Sequence, residues 1–307
     1  MSSPVSSGIN FSRSAIKFTD KWVGRDLLNH STRFSAVLGG ALARKRAKFF
    51  ADETFSGTSE YARELKTNGI TEFGQPFDGD TIDTIADKFD DLIEAGEYTY
   101  TRGTETEDYN YGIDSTEFDF AERLPEVARV VDSPVSDVLK QYYGTWFKPV
   151  RVNMWRNRHV PPEVVESSEV FSNYWHADPH TTDHVKLFVY LTDVTEDHGP
   201  FHAITTDESK RVTRSYRRDR DGIPNGYVEE TVDDVIKFTG PKGSTALCNT
   251  QTNLHRAGIP AEGNHRDLLQ MVFAPTSEPL SDDWIDRRES YAFDGSDHNG
   301  FRRLLRY

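Results

Sequence analysis

Cysteine is almost missing from this chain: Cys248 is the single thiol among 307 residues, and only three methionines accompany it. One cysteine excludes an internal disulfide and fits a reducing compartment. It lies in the apolar run STALCN, where a thiol behaves as a small buried hydrophobe. Long hydrophobic runs are missing as well, and none approaches the roughly 20 residues that span a bilayer. The opening MSSPVSSGINFSRS lacks the basic-then-apolar order of a secretory signal. These features imply a cytoplasmic protein. Positive charge is in deficit: Lys and Arg total 36 against 50 Asp and Glu, a formal net charge of −14. That balance argues against nucleic acid or an anionic membrane as partner, because both reward basic patches. Internal repeats are also missing.

What is present is enough chain for one large β-rich domain with decorations. Residues 1–58 read as a helical N-terminal extension, with Ile16, Trp22, Val23, Leu27 and Leu28 at helical spacing in 14–29 and a basic cluster, Arg44, Lys45, Arg46 and Lys48, inside a second helix over 35–50. Residues 59–278 read as the main domain and 279–307 as a C-terminal tail. Within the domain, 59–147 is the helical part. A short helix ends at Asn68-Gly69, and 80–94 places Ile82, Ile85, Phe89, Leu92 and Ile93 on one stripe with acids outside. Residues 101–115, TRGTETEDYNYGIDS, read as a polar loop. Two short helices are expected near 122–131 and 135–143.

From residue 148 to 278 the pattern is β. Strands are expected over 148–156, 170–176, 184–194, 201–205, 233–238, 245–249, 251–257 and 266–274, short and rich in Val, Phe, Tyr and Thr. Strands in series without long intervening helices predict a mainly β protein with helical decorations, a sandwich or jelly roll in place of a parallel α/β sheet. In 185–191, Lys186, Phe188 and Tyr190 alternate with Leu187, Val189 and Leu191, so one face can line a pocket while the other packs.

The chemistry-bearing stretch is YWHADPHTTDHVKLFVYLTDVTEDHGPF, residues 174–201, with His176 and Asp178 two apart. A His-x-Asp pair alone says little, and a second, His265-Arg266-Asp267, occurs downstream. Only the first is followed by a strand, a Gly-Pro turn, a later histidine (His255) and a later arginine (Arg266). Two histidines and a carboxylate form the facial set of non-haem Fe(II) oxygenases, which leaves metal positions open for other ligands. If 251–257 and 266–274 form a hairpin, a symmetric register sets His255 opposite Arg266 on one face, where a guanidinium suits a bidentate carboxylate. The bland reading of Arg266 is an exposed hairpin residue. Lys186, a cation in an apolar strand, needs an anion, and a co-substrate or substrate contact is expected. The pair His176 and His180 has helical zinc spacing, but Pro179 disfavours a helix there. His198 and His202 read as rim or turn residues, and Arg151, Asn153, Trp155, Tyr174 and Trp175 as pocket or core.

With these residues in view, the chain resembles the phytanoyl-CoA dioxygenase family of Fe(II)/2-oxoglutarate-dependent oxygenases. The likeness rests on His176-Ala177-Asp178, the run VKLFVYLTDVTEDHGPFHAI, and His255 followed by Arg266, and it covers roughly residues 60–276. Where the family often continues with Pro-Gly-Ser-His after its Gly-Pro turn, this chain reads ITTDES. The resemblance implies a double-stranded β-helix (jelly-roll, cupin-like) core, iron held by His176, Asp178 and His255, and Arg266 on the distal carboxylate of 2-oxoglutarate. It implies an oxygenase that uses Fe(II), 2-oxoglutarate and O2 on a small-molecule substrate, releasing succinate and CO2. Related halogenases carry a small residue where this chain has Asp178, so hydroxylation is the implied outcome. Two other readings stay open: a catalytically silent jelly-roll ligand-binding module, and a cupin-type metalloenzyme that does not use 2-oxoglutarate.

Overall fold

In a computed structural model, residues 41–286 are described except 58, 104–106, 168, 179–182, 217–222 and 282–283. The expected helix at 14–29, His180 and most of the C-terminal tail fall outside the described residues. Residues 41–50 are helical. The order of elements then runs α1 (Glu60–Asn68), β1 (Ile70–Gly74), α2 (Gly79–Glu94), β2 (Tyr100–Gly103), β3 (Asp108–Asp114), α3 (Phe120–Arg123), a 3-10 helix (Pro125–Val131), α4 (Val135–Tyr143), β4 (Trp146–Arg158) and α5 (Pro162–Ser167). It continues through β5 (Val185–Tyr190), β6 (Phe201–Ala203), α6 (Thr206–Ser215), α7 (Asn225–Thr231), β7 (Ile236–Phe238), β8 (Thr245–Cys248), β9 (His255–Ala257) and β10 (His265–Thr276).

Among the described residues, ten strands make two antiparallel sheets, of order β1-β8-β5-β10-β4-β3-β2 and β7-β6-β9. Their inner faces meet: Phe188, Tyr190, Ala246, Cys248 and Leu268 of the larger sheet share one buried cluster with Phe201, Ala203 and Phe238 of the smaller. This is the jelly-roll sandwich that the strand pattern predicts. The other face of the larger sheet carries Val185, Leu187, Val189, Leu269, Met271 and Phe273, which pack on α1, α2 and α4. Asp78 accepts the Thr81 N–H to start α2, and its stripe of Ile82, Ile85, Phe89, Leu92 and Ile93 is buried as its period requires. Outside the smaller sheet, Trp175, Ile204 and Leu254 pack on Val212 of α6 and Val228 of α7.

Three expectations change. Residues 101–115 are largely strand, because β2 pairs with β3 and β3 with β4. Their polar side chains are spent on cross-strand partners, as when Arg151 Nε donates to Asp114 Oδ2 at 2.9 Å. The stretch 170–176 is no continuous strand: only Trp175 and His176 pair there, in isolated bridges. The hairpin joining His255 to Arg266 is absent. β9 pairs with β6 in the smaller sheet, whereas β10 lies between β4 and β5 in the larger. The Gly-Ile-Pro turn after β9 carries the chain from one sheet to the other, which a symmetric register could not anticipate. The expected strands at 184–194, 233–238 and 251–257 are also shorter than their apolar patterns.

The second His-x-Asp pair is structural. Asp267 is the register partner of Arg156 and takes Arg156 Nε and Nη2 at 2.8 and 2.5 Å, while the same guanidinium reaches Asp90 of α2 at 2.7 Å. His265 Nε2 stands 3.9 Å from Asp267. The Arg156 and Asp267 side chains are 9% and 5% exposed, so this bridge fastens the helical layer to the sheet in a low dielectric. Arg156→Met is expected to leave a buried carboxylate without its cation and to destabilise the fold by about 3–5 kcal/mol. Chemical denaturation measures this, and a loss under about 1 kcal/mol would mean that the pair behaves like an exposed one.

Candidate metal centre

His176 and His255 are joined through their backbones. The His176 N–H donates to the His255 carbonyl at 3.0 Å and the His255 N–H returns to the His176 carbonyl at 2.9 Å. Two residues on, the Asp178 N–H donates to the Thr250 carbonyl at 2.9 Å. The three side chains converge, one ligand atom from each lying within 4.8 Å of the others. Asp178 Oδ1 is 3.9 Å from His176 Nε2 and Oδ2 is 3.8 Å from His255 Nε2.

The tautomers follow from the partners. His176 Nδ1 lies 2.9 Å from the Tyr174 carbonyl and His255 Nδ1 lies 3.0 Å from the Asn253 carbonyl. A carbonyl only accepts, so each Nδ1 carries a proton and each ring, when neutral, presents its lone pair at Nε2. Burial holds the His255 pKa down to about 3, with further depression from His176, which keeps its ring neutral and able to ligate. A histidine whose far nitrogen is tied to a carbonyl is the usual arrangement of a metal ligand.

The carbonyl that orients His255 is itself fixed. Asn253 donates to the carbonyls of Asn68 at 2.7 Å and Ile204 at 2.8 Å, and Asn249 accepts the Gln251 and Thr252 N–H groups at 3.1 and 3.2 Å. Gly69 ends α1 at φ 77. A Cβ there would meet Asn253 Oδ1 at 1.9 Å, so glycine is required twice over. The stop of α1 at Gly69 was expected; the contacts of Asn253 and Asn249 were not, although the run NTQTN after β8 is a turn signal.

Arg266 reaches the interior from β10. It is 2% exposed, so the exposed-hairpin reading fails: its strand is central, not an edge. Nη2 donates to Asn157 Oδ1 at 2.8 Å, and Nε and Nη1 have no hydrogen-bond partner. Burial pulls its pKa below the ordinary arginine value. A buried guanidinium with two unbonded donors is costly unless an anion completes it. Arg266, Asn157, Asn110 and Arg102 are successive register partners across β10, β4, β3 and β2. On the same inner face, Asn153 Nδ2 donates to Gln270 at 3.4 Å and Trp155 Nε1 donates to the Tyr100 hydroxyl.

Lys186, expected to contact a bound molecule, meets Asp178 instead, Nζ to Oδ2 at 2.5 Å. Trp175 belongs to the core outside the smaller sheet, and Tyr174 contributes its carbonyl. His198 is a turn residue, its Nδ1 2.9 Å from Thr195 Oγ1. His202 is no rim residue. It is 7% exposed, since the period of two on β6 turns it away from Phe201 and toward Trp175, ring centroids 6.4 Å apart. Arg44 of the basic cluster turns inward, Nε donating to Asp183 Oδ2 at 2.6 Å. Among the described residues no helix is long and apolar enough to cross a membrane.

No protein-family model matches this chain, and no curated protein matches it in sequence. Solved structures do match in fold. The non-haem alpha-ketoglutarate-dependent epimerase SnoN from nogalamycin biosynthesis superposes with a TM-score of 0.52 at 12% identity, over 70% of this chain and 81% of SnoN. The carbocyclase SnoK from the same biosynthesis, also alpha-ketoglutarate-dependent, gives 0.52 at 11% identity over 71% and 84%. EctD from S. alaskensis, solved with 2-oxoglutarate and 5-hydroxyectoine, gives 0.52 at 15% identity over 73% and 80%. The shared fold is the one that the sequence resemblance implies.

Buried neutral histidines make the fold acid-sensitive. Burial depresses His202, like His255, to about 3, and the nearby Arg256 adds to the effect. Unfolded chains take up these protons near pH 6.5 while the folded protein refuses them until about pH 3, so stability falls as pH drops through that window. His202→Gln is expected to flatten the decline of Tm between pH 6.5 and 4. An unchanged slope would mean that His202 is protonated in the folded protein.

Proposed function

We propose that this protein is an Fe(II)- and 2-oxoglutarate-dependent oxygenase acting on a small molecule. The observation that carries the reading is the convergence of His176, Asp178 and His255 within 4.8 Å, on imidazoles already turned to present Nε2. Three such donors on one side suit a facial iron site with open positions. Arg266 supports the co-substrate half: its Nε and Nη1 have no hydrogen-bond partner, so this buried guanidinium still has donors to offer a carboxylate, assigned here to the distal end of 2-oxoglutarate. When bound, iron with 2-oxoglutarate and O2 supplies C–H oxidation, coupled to release of succinate and CO2.

The chain's own residues bind, orient and exclude water. Asp178 fills the carboxylate position of the triad with oxygen, which favours hydroxylation over halide transfer. Asn157 steers the Arg266 fork from its Nη2 side. Phe201, its ring 5.6 Å from that of His255, and Phe188, 4.4 Å from Phe201, wall the centre with apolar surface. The unpartnered Nε and Nη1 of a buried Arg266 favour a site that takes an anion over a silent module.

Anaerobic addition of Fe(II) and then 2-oxoglutarate is expected to raise a weak visible charge-transfer band, and aerobic incubation to release succinate slowly without substrate. His176→Ala and His255→Ala are expected to abolish iron binding while circular dichroism stays native; wild-type iron affinity in both would sink the assignment. Arg266→Lys keeps the charge but loses the fork, so 2-oxoglutarate affinity is expected to fall at least tenfold, about 1.4 kcal/mol. Unchanged co-substrate affinity in Arg266→Ala would remove Arg266 from the site.

A further inference from the structure

We infer that the substrate is an uncharged, hydroxyl-bearing ring compound, of the cyclitol or glycoside kind, held by Asn153, Gln270, Trp155 and Tyr100. This rests on the oxygenase reading and names the class of molecule that the centre receives. Gln270 is the register partner of Phe188 on one side and of Asn153 on the other, and residues opposite one another on paired strands share a face. Phe188 leads back to the metal centre through Phe201 and His255, ring to ring at 4.4 and 5.6 Å. The two amides thus continue, strand by strand, the wall that begins at the centre. Asn153 is 3% and Gln270 4% exposed. Their mutual hydrogen bond is long, 3.4 Å, and Asn153 Oδ1 has no partner among the described residues. A buried amide oxygen in that state is costly, and a bound O–H group completes it.

The next row of the same face holds Trp155, Gly112 and Tyr100 as successive register partners. A Cβ at Gly112 would overlap the Tyr100 ring, so glycine lets Tyr100 lie across the strand and accept the Trp155 Nε1–H. Burial pushes the Tyr100 pKa up to about 12, and the hydroxyl keeps a proton to donate. Two half-buried aromatic rings therefore stand beside two buried amides. The rings suit the C–H face of a saturated ring, and the amides and phenol suit its hydroxyls. Charge narrows the class further. Asp114, the register partner of Asn153, is already engaged: Oδ2 takes Arg151 Nε at 2.9 Å and Oδ1 takes the Thr116 N–H at 2.9 Å. Arg102, beyond Tyr100, is exposed. With Arg266 assigned to the co-substrate, this wall has no cation to spend on a buried substrate carboxylate. An alkyl chain would leave the amides without partners, and a site built to bond a hydroxyl rejects the analogue that lacks it.

The test uses the full-length protein loaded anaerobically with Fe(II) and 2-oxoglutarate, and calorimetric titration of matched probes. Methyl glucoside, methyl galactoside and myo-inositol are the hydroxylated set; cyclohexylmethanol, cyclohexanecarboxylate and octanoate are the others. At least one hydroxylated probe is expected to bind at least tenfold more tightly than either carboxylate. Asn153→Leu, close in volume, is expected to weaken that probe at least tenfold and to tighten cyclohexylmethanol. Should that variant not fold, Tyr100→Phe, which removes only the hydroxyl, is expected to weaken the same probe at least threefold while cyclohexylmethanol holds. A wild type that prefers the carboxylates, or takes no hydroxylated probe, overturns the inference. So does a variant in which all affinities stay as they were or fall together, the mark of a residue that only packs. A wild-type protein that binds neither Fe(II) nor 2-oxoglutarate overturns the oxygenase reading instead.

Discussion

The reciprocal hydrogen bonds between the backbones of His176 and His255 are the constraint on which the centre depends. One histidine follows an irregular segment and the other opens β9, far downstream. Pairing the two backbones brings their rings to 4.3 Å between centroids. The Asp178 N–H on the Thr250 carbonyl extends the same seam by two residues and brings the carboxylate to within 3.9 Å of both Nε2 atoms. The ligand atoms are gathered by main-chain geometry, which costs less entropy at the moment of binding than gathering three free side chains. Gly69 and Asn253 hold the far side of that seam.

Burial of charge separates the structural parts from the chemical ones. Consecutive residues of β10 send Arg266 to the inner face and Asp267 to the outer. Asp267 and its partner Arg156 are fully matched, two donors to two oxygens, and their work is finished within the fold. Arg266 is matched on one donor only. The same strand thus carries a closed ion pair and an open cation a residue apart. Lys186 is a third case: it closes on Asp178, a group that would itself bind metal, so its charge is felt at the centre without occupying a place in it.

The fold by itself does not select a reaction. On the proposed reading, selection falls to the inner face of the larger sheet, where Tyr100, Asn110, Asn153, Trp155 and Gln270 stand. These come from β2, β3, β4 and β10, and Asn110 belongs to a segment whose composition reads as a loop.

Periodicity alone determined α2, whose apolar stripe admits one buried face, and the in-out alternation of β5 and β10. Order along the chain, His-x-Asp then strand then His then Arg, marked His176, Asp178, His255 and Arg266 as candidates, and the fold brings the first three together. Sequence could not say that His255 and Arg266 lie on different sheets, because a register argument sees only chain neighbours. It could not see that Lys186 meets Asp178, that His202 turns into the core, or that residues 101–115 pair as strands, since each depends on partners from other segments. Local patterns decide which face of an element is apolar. Which buried polar group finds a partner, and which is left open for a ligand, is decided only when the sheets close on one another.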